Sequence, residues 1–321
     1  MNLQTKVEIT APSDKLRHSS QMLCIGSCFA ENIGRKLQMH GFNVDINPFG
    51  IVYNPLSAAN VLKRLLSKQT FTEDELLYNN GMWVSLSHHG SFSSKDKQTC
   101  LENINTRMSS AVENLAKVNC LLFTFGTAWV YEYIPQSCIV GNCHKISAEH
   151  FNRYCLDVGT IVREYSRLIN HLKAVNPALR IVFTVSPIRH LKDGAHANQL
   201  SKATLLLAID KLCSLFPEHY YFPSYEIVMD ELRDYRFYAS DMLHLSETAV
   251  DYIWEVFKTN CITASEYELM NKVEKINRGL HHRPSDPTDE DYLSFREKLQ
   301  REINSLKSLY PEVYIQSDTV L

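Results

Sequence analysis

Short apolar runs recur along this chain, each followed by a segment with helical spacing, and that alternation leaves few folds open. Residues 21–25, 119–125 and 180–185 read as buried strands. Behind the first run, Phe29, Ile33 and Leu37 recur every four residues, which places them on one helix face, and Gly41 closes that helix. Residues 44–46 read as a further strand entering the turn Asn47-Pro48-Phe49-Gly50. Pro55 opens another helix, since its missing N–H costs nothing in a first turn. Helices are also expected over 97–117, 148–175, 196–215 and 246–258, with a short strand at 220–222. Ala249, Ile253, Val256 and Phe257 form the inner face of the last of these helices. Strands separated by helices predict an α/β fold with a mainly parallel sheet, whose functional residues sit on loops at the strand carboxyl ends. Ser27, Gly50, Gly126 and Ser186 all follow expected strands and so qualify for that edge.

Two segments fall outside the alternation. Residues 67–95 read as a surface excursion, with His88-His89 solvated, as His281-His282 are expected to be. Beyond residue 262 the chain changes to charged helices at 266–278 and 290–309, joined by Gly279-Leu280-His281-His282-Arg283-Pro284. The expected division is therefore a main domain over 1–262 and a helical extension over 263–321. The extension packs either on the domain or on a partner subunit, which would make the protein a homo-oligomer through its C-terminal helices.

Of the 321 residues, 45% are hydrophobic and 21% charged, the balance of a globular protein. Thirty-three basic against 36 acidic residues give a net charge of −3, which argues against nucleic-acid binding through a broad basic surface. None of the nine cysteines forms a Cys-x-x-Cys pair, and Asn142-Cys143-His144-Lys145 offers only one Cys and one His, so no metal site is expected. The amino terminus has no continuous apolar core, and the apolar stretch over 120–133 is too short to span a membrane and is interrupted by Gly126 and Glu132. A cytoplasmic protein without membrane contact, its cysteines reduced, is the expectation.

Chemistry concentrates in two short segments. Gly26-Ser27-Cys28-Phe29-Ala30 puts a serine where a strand turns into a helix, beside backbone N–H groups that such a turn leaves unpaired. Far downstream, Asp241-Met242-Leu243-His244 spaces a carboxylate three residues before an imidazole, close enough to fix the tautomer of a general base. Taken singly, a serine before a helix is most often only its cap, and Asp-x-x-His is common. Cys28, a thiol at a helix amino terminus, is a rival nucleophile. Trp129, Tyr131 and Tyr133 alternate as on a strand and would suit an aromatic wall, although an ordinary strand face reads the same way. Asn198, Ser201 and Lys202 either line the same mouth or simply begin a helix.

Together the motifs resemble the GSCFA domain family, named for the pentapeptide at 26–30. The resemblance extends through Glu31-Asn32-Ile33-Gly34, then Asn47-Pro48-Phe49-Gly50-Ile51-Val52-Tyr53-Asn54-Pro55, then Phe125-Gly126-Thr127-Ala128-Trp129 and Ser186-Pro187-Ile188-Arg189-His190. It continues with Ser224-Tyr225-Glu226 and with Asp234-Tyr235-Arg236-Phe237-Tyr238, which leads into the Asp-x-x-His segment. That family is similar to the SGNH (GDSL-like) hydrolases. The resemblance implies a flavodoxin-like three-layer α/β/α fold, Ser27 as nucleophile, His244 as base and Asp241 as its orienting partner. It also implies an oxyanion hole built from Ser27, Gly50 and a third position where asparagine is usual. This chain has Thr127 there, and Asn54 or Asn142 is a possible substitute. Asn54, Arg189 and His190 are the expected substrate-binding residues, Arg189 as a holder of carboxylate or phosphate.

The expected activity is that of a serine hydrolase or acyltransferase needing no metal or organic cofactor, acting on a small-molecule or glycan ester. By analogy with the wider superfamily, an acetyl ester on a carbohydrate is one such substrate. The alternative is a non-catalytic binding module that keeps the pocket, a reading the missing asparagine favours. A structural subunit assembled through the C-terminal helices is a third.

Overall fold

A computed structural model describes residues 5–282 and 290–316. Strand β1 (Gln21–Gly26) enters helix α1 (Cys28–Met39), and β2 (Asn43–Ile46) precedes α2 (Pro55–Ser67). A hairpin, β3 (Leu76–Asn79) and β4 (Met82–Ser85), comes before α3 (Lys97–Leu115) and β5 (Cys120–Phe125). Next, β6 (Trp129–Tyr133), β7 (Cys138–Ile139) and β8 (Phe151–Cys155) form a small antiparallel sheet. The chain continues through α4 (Val158–Val175), β9 (Arg180–Val185), α5 (Gly194–Leu215), β10 (Tyr220–Tyr221), the single turn α6 (Ser224–Glu226) and α7 (Glu247–Cys261). Helices α8 (Tyr267–Leu280) and α9 (Glu290–Leu309) complete it.

The central sheet is wholly parallel, in the order β10-β9-β5-β1-β2. Numbering only its own strands along the chain gives 2-1-3-4-5, the flavodoxin-like order. Side chains alternate across it, so both faces are apolar. Leu23, Ile25, Leu121, Phe123, Ile181 and Phe183 pack into one core with α2, α3, α4 and α5. Met22, Cys24, Leu122 and Val182 pack into the other with α1 and α7. The three-layer architecture follows directly.

The order reverses between β1 and β5, and there the two backbones come unusually close. Gly26 has φ +148°, and a Cβ on it would lie 2.2 Å from the Thr124 carbonyl oxygen. The Gly26 N–H donates to Asn47 Oδ1 (2.9 Å), and the Gly26 carbonyl accepts from Val52 N (3.1 Å). These contacts lock the strand-to-helix turn in place. Ser27 is the cap of α1 that results, its Oγ accepting from Phe29 N.

The structure departs from the expected elements in two places. Residues 151–155 are a strand paired antiparallel with β6 rather than the start of a helix, so α4 begins at Val158, capped by Asp157. Phe151 and Tyr154 suit a pleated surface better than a helix interior. The 67–95 segment is built in rather than loosely laid over the surface: Phe71 and Leu76 join the core, and His88 is 1% exposed. That imidazole stacks on Phe49 at 4.4 Å, and burial pushes its pKa down to about 3, so it is a neutral core group and not the solvated side chain expected.

The C-terminal helices pack on their own chain. Asn277, fully buried, donates to the Met39 carbonyl (2.9 Å), and the Tyr314 N–H donates to the Gly41 carbonyl. Leu299, Ile303 and Leu306 of α9 close a small core with Val273 and Ile276 of α8. Residues 283–289, which include Arg283 and Pro284 of the expected loop, lie outside the described residues.

The turn at Gly26 predicts that Gly26→Ala destabilises the protein by roughly 3 kcal/mol, because the methyl meets rigid backbone and the φ disfavours any side chain. Denaturant unfolding of the variant against wild type measures that difference.

Candidate active site

A cavity of about 570 Å³ opens at the carboxyl edge of the sheet, at the topological switch point beside β1 and β5. Ser27, Thr127 and Ser186 come to it from the ends of β1, β5 and β9, and Asn54 from the start of α2. Arg189 and His190 come from the loop after β9, and His244 from the segment before α7. Tyr53, Trp129, Tyr131 and Arg153 complete much of its wall. Every expected catalytic and substrate-binding residue except Asp241 lines this one depression, and Asp241 is bonded to His244.

The imidazole is held as a base requires. Asp241 Oδ2 lies 2.6 Å from His244 Nδ1, while Asp241 Oδ1 accepts from the backbone N–H groups of Leu243 and His244, each at 2.9 Å. The His244 side chain, first among these donors, and the two N–H groups hold the Asp241 carboxyl at about 2, so it is ionised throughout the neutral range. Met242 takes φ +59°, an uncommon backbone for a residue with a side chain. The segment is pinned by Ala239 N donating to the His244 carbonyl (2.8 Å) and Ser246 N donating to the Phe237 carbonyl (2.9 Å). Nδ1 facing the carboxylate leaves Nε2 as the proton acceptor.

Ser27 and His244 have very different surroundings. Ser27 is 1% exposed, whereas the His244 side chain is 58% exposed. Ser27 Oγ accepts from Phe29 N at 3.3 Å, and no hydrogen bond joins it to His244 among the described residues. Beside it, burial raises the Cys28 thiol and outweighs the lowering by the α1 N–H groups. The helix terminus therefore does not activate this thiol.

The expected oxyanion donors fare unevenly. Gly50 lies off this cavity, and its N–H donates to the Asn47 carbonyl at 2.7 Å; with φ +78° it serves a tight turn against His89. In this turn the N–H expected to serve as an oxyanion donor is engaged within the chain, as suits a glycine in a Pro-Phe-Gly turn. The Thr127 N–H is likewise engaged, donating to the Tyr53 carbonyl at 3.1 Å, and its Oγ1 shares a hydrogen bond with Ser201 Oγ at 3.0 Å while accepting from Trp129 N. The Ser27 N–H donates to the Thr124 carbonyl at 3.2 Å. The Cys28 N–H, at the first position of α1, donates to no other residue among the described residues. Asn54 caps α2: its Oδ1 accepts from Ser57 N and its Nδ2 donates to Ser57 Oγ. One of its amide hydrogens has no acceptor among the described residues.

The outer wall is basic. Arg153 pairs with Asp193 and lies 4.3 Å over the Trp129 ring, and Lys192 donates to Tyr131 Oη at 3.1 Å. Arg189 reaches only Met229 Sδ and makes no ion pair among the described residues. His190 is held neutral: burial first, then the nearby Lys202 ammonium, push it down to about 4. Sequence reasoning missed Tyr53 and Arg153. Tyr53 stands in a recognised motif beside Asn54, but Arg153 sits on a strand that the sequence presents as helix. No three His, Cys, Asp or Glu side chains converge as metal ligands would among the described residues.

With this geometry in view, comparison with known proteins decides the family. The chain matches the GSCFA family over residues 21–257. It belongs to that family. Residues 273–318 match the C-terminal domain of GSCFA domain proteins, so the extension beyond the α/β domain is itself a recognised unit. No curated protein matches. Among solved structures, a Streptococcus pneumonia protein provisionally named a platelet activating factor is 12% identical over 75% of this chain and 83% of its own, with a TM-score of 0.37. A carbohydrate esterase of family 3 from Talaromyces cellulolyticus is 12% identical over 49% of this chain and 64% of its own, with a TM-score of 0.23. At those TM-scores neither neighbour bears on the activity of this GSCFA chain.

The depressed His190 sets a pH dependence. Its folded pKa, about 4, lies below the ordinary 6.5, so the unfolded chain binds the extra proton first as the solution is acidified. Stability present above pH 6.5 is therefore lost as pH falls towards 4. Histidine NMR should find His190 still neutral at pH 5, and Lys202→Met should move its titration upward.

Proposed function

We propose that this protein is a serine hydrolase or acyltransferase acting on esters, with Ser27 as nucleophile, His244 as general base and Asp241 as the residue that orients it. The observation carrying this reading is the shared cavity: a serine at a helix amino terminus and an Asp-held imidazole, from segments more than two hundred residues apart in sequence, line one depression at the sheet's switch point.

Ser27 Oγ adds to the ester carbonyl carbon as its proton passes to His244 Nε2. The tetrahedral intermediate then collapses, the C–O bond to the leaving group breaks, and the same proton leaves with the departing alkoxide. Water, or an acceptor hydroxyl, attacks the acyl-enzyme, loses its proton to His244 and releases the acid or the new ester. Asp241 stays ionised and stabilises the imidazolium formed in each half-reaction. The separation of Ser27 from His244 is compatible with this scheme, because catalytic hydrogen bonds in empty sites are often long and tighten on the substrate.

The oxyanion site in this reading is the amino terminus of α1, with the Cys28 N–H, while the spare Asn54 amide hydrogen and Thr127 Oγ1 are further donors. Arg189 and neutral His190 bind the substrate. An ester on a carbohydrate fits the aromatic and polar wall, an acetyl ester being one such case. The nine unpaired cysteines suit a reducing compartment such as the cytoplasm. Association of chains through the outward face of α9, where Leu293 and Leu309 are exposed, is a further proposal.

A second reading, a binding module without turnover, is favoured by the burial of Ser27 and its bond to Phe29 N. A fluorophosphonate probe separates the two. Wild type should label and should hydrolyse p-nitrophenyl acetate, Ser27→Ala should do neither, and His244→Ala should lose about a hundredfold in rate. Absence of labelling in wild type, or labelling that survives Ser27→Ala, would sink the serine-nucleophile assignment.

A further inference from the structure

Behind the cavity lies a charge that the scheme above does not use. Lys202, on α5, is fully buried, and its Nζ donates to two backbone carbonyls, Gly126 O and Ser186 O, both at 2.6 Å. Those carbonyls belong to the first residues past β5 and β9, strands paired through Phe125 and Val185. One side chain thus ties together the two loops that carry Thr127 and Ser186 into the site.

No carboxylate is bonded to this ammonium among the described residues. The titratable groups facing it are the Cys28 thiol from α1, the His190 imidazole from the loop after β9 and the Tyr225 ring, 5.8 Å away on α6. A buried ammonium lacking a counter-ion is costly, and an amide or hydroxyl would satisfy the same carbonyls at less expense. What lysine adds is positive charge, close to the helix terminus that carries Ser27 and Cys28. In that corner the Thr127 N–H is already engaged by the Tyr53 carbonyl and so adds no free backbone donor.

Resting on the Ser27 reading, we infer that Lys202 is the positioning residue of the oxyanion site: it fixes the Gly126 and Ser186 loops and supplies a buried positive charge that favours the negative oxygen formed when Ser27 attacks. Preorganised charge in a dry site acts on the transition state more than on the neutral ester, so its loss should lower kcat and leave KM little changed.

Burial pushes Lys202 down to about 7, against a smaller raising effect of Cys28. The neutral amine still has two hydrogens for the two carbonyls, so raising the pH removes the charge while the tie can persist. The folded pKa lies below the unfolded 10.5, so between the two the unfolded chain holds the extra proton, and the Lys202 contribution to stability rises with pH there. Turnover should move the opposite way over the same window.

The experiment follows p-nitrophenyl acetate hydrolysis by wild type, Ser27→Ala, Lys202→Met and Lys202→Arg from pH 6 to 9.5, with thermal unfolding of each. Wild-type kcat should fall above about pH 7. Lys202→Met should lose at least about tenfold in kcat at pH 7 with KM within threefold, and show no further alkaline fall. Lys202→Arg, charged throughout, should keep its activity to pH 9. The melting temperature of wild type should gain on that of Lys202→Met as pH rises. A folded Lys202→Met with wild-type kcat overturns the inference. If neither variant folds, a wild-type kcat that does not fall between pH 7 and 9 overturns it as well. Activity undiminished in Ser27→Ala would instead strike at the nucleophile, and the two failures are thereby distinguishable.

Discussion

The site depends on the absence of one methyl group. At Gly26 the backbones of β1 and β5 approach so closely that a Cβ would overlap the Thr124 carbonyl, and the φ of +148° is one that side chains disfavour. That approach lets β1 turn straight into α1, with the Gly26 N–H bonded to Asn47 at the end of β2. Three neighbouring strand ends are thereby fixed to one another, and Ser27 is left capping a helix whose amino terminus faces the cavity. A bulkier residue would part β1 from β5 at the point where the strand order reverses, which is where a parallel sheet opens its crevice.

Lys202 does for β5 and β9 what Gly26 does for β1 and β5. The first contact is steric and the second electrostatic, but both act on backbone at the carboxyl edge, where side-chain packing between strands has ended. This division has an energetic logic. Apolar burial holds the sheet in the middle of the layers, and it cannot specify loops that must stay polar enough for chemistry. Short bonds from a buried ammonium to two carbonyls can, at a desolvation cost that the surrounding core must carry.

How much of this was legible in the sequence depends on the range of the interaction. The central strands and most helices were readable because burial on both sheet faces writes continuous apolar runs, and because Asn54, Asp157 and Ser246 cap their helices locally. Ser27 and the Asp241–His244 pair were readable because each is a short-range pattern, and family resemblance tied them together. Residues 151–155 were misread because a five-residue edge strand leading into a helix has no periodicity long enough to separate the two. His88 looked like a solvated residue, yet its burial depends on Phe49, Phe71 and Phe92, which only the fold assembles. Gly50 was assigned a donor by motif, but whether an N–H is free depends on its partner, here the Asn47 carbonyl three residues back. Lys202 could be read only as lining the mouth or beginning a helix, because its bonds run to two carbonyls at other strand ends.

The two halves of the site have opposite dielectric surroundings, and that difference suits the charge movement of acyl transfer. In the proposed acyl transfer the step separates charge: an oxyanion would grow beside Ser27 and an imidazolium at His244. On that proposal the anion would form in a dry corner where a helix terminus and a buried ammonium act with little water to screen them. The cation would form on an exposed side chain, where water and the ionised Asp241 both stabilise it and where the proton can pass to the departing group. A buried imidazole would need a buried carboxylate and a second desolvation cost. With the proposed base on the rim and the proposed nucleophile in the floor, that cost is confined to the side of the reaction where a low dielectric helps.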